Sequence, residues 1–384
     1  MPAARLQGIV VWTAAIVALC PVLWGLWDDW RIGGDSWQQG DWLISGLGVR
    51  RGPLGSLFLL LSDLTGASPL LLVVLAQGLL AATLFLLTAR AFATADAHYL
   101  LIFFSPAFFL LAWTADPLFG LRKELLGFLA LALAGRHPRL AAALYVVAIV
   151  AHEANLFLAP AMWLLWRTHR PLPAAATAAV LLVTASAMLF ALIRSSADPV
   201  ALCRPLLDRG LDPVICGGII AKMDTGAATW SEIARAMAVQ PNGIAFLALA
   251  FTVQMVLLAL CLRHRRGLRE ALILIGLWIA MLPLFIVAVD WGRWLSMQVT
   301  SFGFVMLARA RSGEARVERN LPAGVLALIC AAGLLVAPIH YPAIRIGGTA
   351  DRLRGLLAGT ETLQDTTITQ FGPVLSTMPP SNAP

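Results

Sequence analysis

A chain of 384 residues in which 59% are hydrophobic and only 13% charged, with a mean hydropathy of +0.81, is too apolar for a soluble domain, whose apolar share lies near about 45–50%. A net charge of +7 and a pI near 9.7 raise the possibility of a nucleic-acid partner, but the arginines fall in short clusters between hydrophobic runs and no aromatic-interleaved basic module is present, so nucleic acid is set aside. Five cysteines in a chain this long do not make a disulfide framework.

Hydropathy, turn residues and charge predict an all-α polytopic membrane protein of about eleven transmembrane helices, over 7–27, 68–89, 98–115, 118–135, 140–151, 154–167, 174–193, 243–262, 271–289, 295–308 and 321–337. The first segment is too long for a signal-peptide core and ends in no small-residue cleavage site, so it reads as a retained anchor. It is followed by WDDWRIGGDSWQQGDW, Trp27 to Trp42, whose Asp28, Asp29, Arg31, Asp35 and Asp41 are expected in water, because one such charge at the centre of a membrane helix costs about 2.5–3.5 kcal/mol. A surface helix is expected over 54–65. The segments at 140–151 and 154–167 are each shorter than the roughly 20 residues of an ordinary span, and are expected to form a hairpin of two short helices with His152 near the outer surface.

With the N-terminus cytoplasmic and every segment crossing, the inner loops hold fourteen basic and four acidic residues, and the rest of the chain the other fourteen basic and seventeen acidic. That is the asymmetry of the positive-inside rule, with the C-terminus periplasmic and the protein in a bacterial inner membrane. The expected organisation is a transmembrane domain over 1–343, with outer loops at 28–67 and 194–242, and an outer tail over 344–384. In that tail 345–358 forms an amphipathic surface helix and the Pro/Ser/Thr-rich end is disordered. No internal repeat is found, which counts against inverted-repeat transporters.

The outward side collects the polar motifs. Arg122, Lys123 and Glu124 in LFGLRKELLGFLALALAG stand in the first turn or two of an apolar helix. Two cations there oppose the helix dipole, so they are not caps, but together with that dipole they suit an anion such as a diphosphate; the alternative is that they snorkel to lipid phosphates or pair with Asp116 and Glu124. His152 and Glu153 in AHEANLFLAP fail the HExxH spacing, since Leu156 stands four residues on, so no zinc site is expected. The pair reads as lining a site, with a local helix cap as the alternative. Asp290 and Arg293 in AVDWGRWLSM are three apart, as are Trp291 and Trp294, giving an ion pair beside two indoles. Nine of the thirteen tryptophans, Trp37 among them, are placed outward, which favours stacking on sugar faces over an anchoring belt. Cys203 and Cys216 share the outer loop and can close a ring there.

In order, an Asp-rich first outer loop (GGDSW), an arginine helix head (LRKELLG), a His-bearing hairpin (AHEANLFLAP) and an aromatic-arginine corner (DWGRW) resemble the EpsG-like exopolysaccharide polymerases and, more distantly, the GT-C glycosyltransferases, over about residues 25–300. The resemblance implies an all-helical membrane fold, a catalytic acid in the first outer loop and a polyprenyl-phosphate-linked sugar as donor. Asp35 is then the expected base for the acceptor hydroxyl of a glycan, aimed by the turn that Gly33 and Gly34 permit, while the cations hold the departing diphosphate. Asp28 and Asp29 are alternative carboxylates, or ligands for a divalent cation, Mg or Mn; no cofactor is certain. The expected partners are the polyprenyl-linked sugar or oligosaccharide, the acceptor glycan, the lipid bilayer and other polysaccharide-assembly proteins. An O-antigen-type ligase, a lipid-linked oligosaccharide flippase and a non-catalytic assembly partner remain as alternatives.

Overall fold

The structure, a computed structural model, describes residues 2–116, 120–169, 172–193, 197–223, scattered positions between 245 and 256, 264–287, 290–315, 317, 321–338 and 344–358. The expected span at 243–262 and the expected disordered end beyond 358 fall largely or wholly outside these residues. What is described is almost entirely helical, and three helices, Arg5–Arg31, Pro69–Ala93 and Leu268–Ile286, are long and apolar enough to cross a membrane, with five further apolar helices of 10–17 residues. The protein is all-α and membrane-embedded.

Helix α1 (Pro2–Arg31) packs on α4 (Pro69–Ala93) and α6 (Phe109–Ala115), and between α1 and α4 the chain makes α2 (Gln39–Leu43) and α3 (Gly52–Thr65). Helix α5 (Leu100–Phe103) precedes α6, and α7 (Glu124–Ala134), α8 (Pro138–Ala151), α9 (Ala159–His169) and α10 (Ala174–Ile193) follow. Short helices α11 (Pro199–Leu207) and α12 (Gly218–Ala221) lead to α13 (His264–Val287), α14 (Trp291–Arg311), α15 (Ala323–Gly333) and α16 (Gly348–Ala358), with a two-stranded ribbon, β1 (Val336–Pro338) and β2 (Ile344–Ile346), before the last. Lipid is as apolar as leucine, so burial alone does not drive these helices together; close ring packing does. Phe109 meets Phe85 edge-on at 5.2 Å and Phe304 in a stack at 6.5 Å, and Trp113 stacks on Phe128 at 6.0 Å.

Several expected elements change. Helix α1 does not stop at Trp27 but carries Asp28 and Asp29 in its last turn. The span expected at 98–115 is broken by Ser105-Pro106 into α5 and α6, because the residue before a proline disfavours helical backbone. Helix α7 begins only at Glu124, and residues 120–123 are irregular. The segment 138–169 is two helices with a break at His152, as the shortness of each half requires, and His152 is 2% exposed, buried within the protein. The tail helix α16 packs one face on α6, with Arg352 and Thr349 buried and the Thr349 hydroxyl donating to the Leu111 carbonyl at 3.1 Å, and leaves Arg354 and Leu357 exposed on the other.

The segment after Asp29 is clamped from a distance. Cys203 and Cys216 form a disulfide, and the loop it closes lies on the turn at 33–40. A Cβ on Gly40 would come within 2.7 Å of the Ile215 carbonyl oxygen, one on Gly34 (φ +103°) within 2.8 Å of the Ile215 side chain, and the Ile219 amide donates to the Ser36 carbonyl at 3.4 Å.

Candidate functional site

The heads of α7 and α14, the loop 41–51 and the break at His152 meet in one ionic cluster. Arg293 bridges Glu124 on α7 (Nη2 to Oε1, 2.9 Å) and Asp290 (Nη1 to Oδ2, 2.9 Å), and Arg122 reaches the same Asp290 oxygen at 3.6 Å. On the other flank, Arg51 donates to Glu153 from Nε and Nη2 (3.0 and 2.5 Å) and lies 3.4 Å from Asp41, while Arg50 approaches Glu153 at 3.6 Å. His152 joins the halves, with Nε2 at 3.5 Å from Glu124. Lys123 is fully buried and donates to the Arg51 carbonyl at 2.9 Å. Arg122, Lys123, Glu124, His152, Glu153, Asp290 and Arg293 are thus brought together, and Arg122 and Lys123 do not snorkel.

The backbone beneath is strained where the cluster is built. Among the described residues the two non-glycines in left-handed backbone are Arg51 (φ +68°) and Leu121 (φ +58°), a conformation that costs about 1–2 kcal/mol for a residue with a Cβ. The Leu121 carbonyl is gripped by the Trp42 indole (2.9 Å) and the Gln77 amide (2.8 Å), which holds the peptide ahead of Arg122 and Lys123 in place. Gln77 in turn accepts from Gln39 (3.1 Å), whose amide also donates to Asp29 (3.2 Å), so a polar chain runs from the end of α1 to the head of α7.

Asp41, Arg50 and Arg51 were not singled out from the sequence. Asp41 was expected in water, yet it is 1% exposed: opposite charges close by offset the cost of burying it. Burial raises its carboxyl pKa, but Lys123 and Arg51 outweigh that and hold it below the usual range. Glu153 is likewise held well below, against burial, by Arg51. A signal for the two arginines existed in the chain: Arg50-Arg51 is an adjacent pair on the side that the positive-inside rule leaves poor in arginine.

Asp35 lies in the turn ahead of α2. Its Oδ1 accepts from the Trp37 and Gln38 amides (2.8 and 2.7 Å), closing the turn into α2. It is two residues from Trp37, whose ring lies against the Arg122 guanidinium (5.5 Å) and Lys222 (5.0 Å). Trp294 is no sugar platform, because it is buried beside the Arg293 guanidinium at 4.4 Å, and Trp291 donates to the Phe285 carbonyl at 2.9 Å. Asp28 and Asp29 lie on α1 outside the cluster. Among the described residues no three potential ligands are grouped for a metal, and Asp29 accepts from the Gln39 amide.

Beside the cluster lies a void of about 10 Å³, lined by Trp113, Arg122, Glu124, Arg293 and Ser296. Around the cluster the buried Asp41 Oδ2, Arg122 Nε, Trp294 Nε1 and Ser296 Oγ have no hydrogen-bond partner among the described residues, a concentration of unmet polar atoms that native interiors seldom carry without use.

His152 makes the cluster acid-sensitive. Its Nδ1 accepts from the Ala154 amide at 3.0 Å, so the neutral ring carries its proton on Nε2, and burial, with Arg51 beside it, lowers its pKa from 6.5 to about 4. The unfolded ring therefore binds a proton that the folded ring refuses between these values; the stabilisation is complete above pH 6.5 and is lost as pH falls toward 4. Thermal unfolding followed from neutral pH down to this window is expected to show that loss, and His152→Gln to flatten it. An unflattened profile would assign the titration to another group.

No protein-family model, curated protein or solved structure matches the chain.

Proposed function

We propose that the protein is a membrane glycosyltransferase or polysaccharide polymerase, which moves a sugar from a polyprenyl-(di)phosphate-linked donor to a glycan acceptor. The observation that carries this reading is the cluster itself: Arg50, Arg51, Arg122, Lys123 and Arg293 drawn together at the heads of α7 and α14, where a departing diphosphate gains most from fixed cations. The most exposed side chains there are Asp290 (24%), Arg50 (23%) and Glu153 (22%), so the donor enters from their side, displacing carboxylates from arginines as it does. Asp35 takes the acceptor proton, beside the Trp37 ring that touches Arg122. On this reading the chain has the GT-C-like, eleven-pass topology, in a bacterial inner membrane with the N-terminus cytoplasmic and the C-terminus periplasmic. The Cys203–Cys216 disulfide, a bond of oxidising compartments, supports a periplasmic place for its loop.

The test is transfer by purified protein in detergent micelles from a labelled polyprenyl-diphosphate sugar. Arg122→Ala is expected to weaken donor binding and to lower turnover by about 10²-fold or more, since a contact to the diphosphate acts in both ground and transition states. Unchanged binding and turnover would overturn the diphosphate assignment.

One observation favours a second reading, a flippase for lipid-linked oligosaccharide. Such a protein wants charge at both gates, and the far end of α14 holds a second buried network: Arg309 donates to Glu270 (2.6–2.9 Å) and meets Glu314 at 2.8 Å. A flippase moves its cargo across sealed vesicles and transfers nothing in micelles, so the same assay separates the two.

A further inference from the structure

At the ends of α4, α7 and α14 remote from the ionic cluster, three basic side chains converge. Arg90 is in the last turn of α4, Arg136 lies two residues beyond α7, and Arg311 ends α14, about 27 Å along that helix from Arg293. They line a cavity of about 110 Å³, walled on its apolar side by Leu87, Leu131 and Phe304.

Cations near helix C-termini offset the dipole, and each contributes about 0.3–1 kcal/mol in that role. They do so equally well when pointing apart into water. Here they line one cavity while remaining exposed to solvent: partial desolvation and the neighbouring Arg136 and Arg90 hold the Arg311 guanidinium below its ordinary pKa, and among the described residues no carboxylate pairs with any of the three. The available acids are committed elsewhere. Glu270 and Glu314 serve Arg309, which is two residues from Arg311 and so about 200° around the helix from it. The convergence thus carries a repulsion that dipole compensation does not require and that an anion relieves.

We propose that this pocket binds a phosphate-bearing anion, with the three guanidiniums on the phosphate oxygens. Guanidinium is suited to that contact by its planar fork of donors, and basic pockets between membrane helices are a common form of headgroup site. The apolar wall adjoins the place where a lipid's chain would leave the headgroup. This inference is independent of the function proposed for the cluster.

The test uses the purified full-length protein in dodecyl maltoside micelles, titrated at constant ionic strength with dioctanoyl phosphatidylglycerol, with dioctanoyl phosphatidylcholine or with sodium phosphate, and followed by thermal unfolding. A saturable rise in the unfolding midpoint is expected with phosphatidylglycerol or with phosphate, and none with the zwitterionic lipid. Phosphatidylglycerol acting alone identifies a lipid headgroup; phosphate acting at similar concentrations identifies the free ion. The triple variant R90Q/R136Q/R311Q is expected to weaken the effect at least about tenfold, the loss of one or more charge-assisted contacts. If that variant does not fold, R311Q alone is read in its place, with a weakening of several-fold expected. Saturation by neither probe, or wild-type affinity in the variant that folds, would overturn the proposal.

Discussion

Asp35→Asn is expected to lower sugar transfer by about 10²–10⁴-fold, the range that a positioned general base supplies, while donor binding and the unfolding midpoint stay near wild type. The geometry makes this substitution unusually clean. Asp35 holds its turn through Oδ1, which accepts from the Trp37 and Gln38 amides, and the amide oxygen of asparagine can accept the same two bonds. The substitution removes the charge and the proton affinity while keeping those two bonds. Asp35→Ala removes the turn as well, and is expected to lower both stability and activity. Turnover and donor affinity measured side by side on the two variants separate the roles. Wild-type turnover in Asp35→Asn would withdraw the general-base role, and with it the reason for calling this loop catalytic.

Glu270→Ala is expected to destabilise the protein by about 3–5 kcal/mol, because it leaves the Arg309 guanidinium buried without its main counter-charge. Both side chains are 2% exposed, unlike the surface pairs whose loss costs about 0–1 kcal/mol. Replacing both, Glu270→Leu with Arg309→Met, is expected to cost much less, since no lone charge then remains. Thermal unfolding in detergent of the single and double variants checks this. A single variant no worse than an exposed pair would mean that water reaches Glu270 and that the far end of α14 is not sealed by this bond.

Helix type and most boundaries were legible because lipid imposes one periodicity-free signal, apolar length; α4 and α10 fall where hydropathy puts them. Ser105-Pro106 splits an apolar run that hydropathy alone reads as continuous. At the site, Arg122, Lys123 and Glu124 were visible because charges embedded in apolar sequence are costly, and so were Asp290 and Arg293 from their spacing. Asp41, Arg50 and Arg51 were hidden in a run already rich in charge, where no single residue stands out and only the fold shows which are buried. Arg309, one of several arginines in its stretch of sequence, is committed to Glu270, a pairing that the sequence did not single out. A charge tally cannot distinguish an arginine facing lipid headgroups from one in an ion pair.

The clamp on the Asp35 turn also sets an order of events. Ile215 and Ile219 press on Gly34, Gly40 and Ser36, and they belong to a segment made some 180 residues later, Ile215 inside the ring closed by Cys203 and Cys216 and Ile219 just beyond it. The turn therefore cannot take its final shape while the ribosome is still near it, even though its own residues emerge early and form two local bonds unaided. Completion of the proposed catalytic loop therefore draws on a distant stretch of chain, whose own shape is held by the Cys203–Cys216 disulfide.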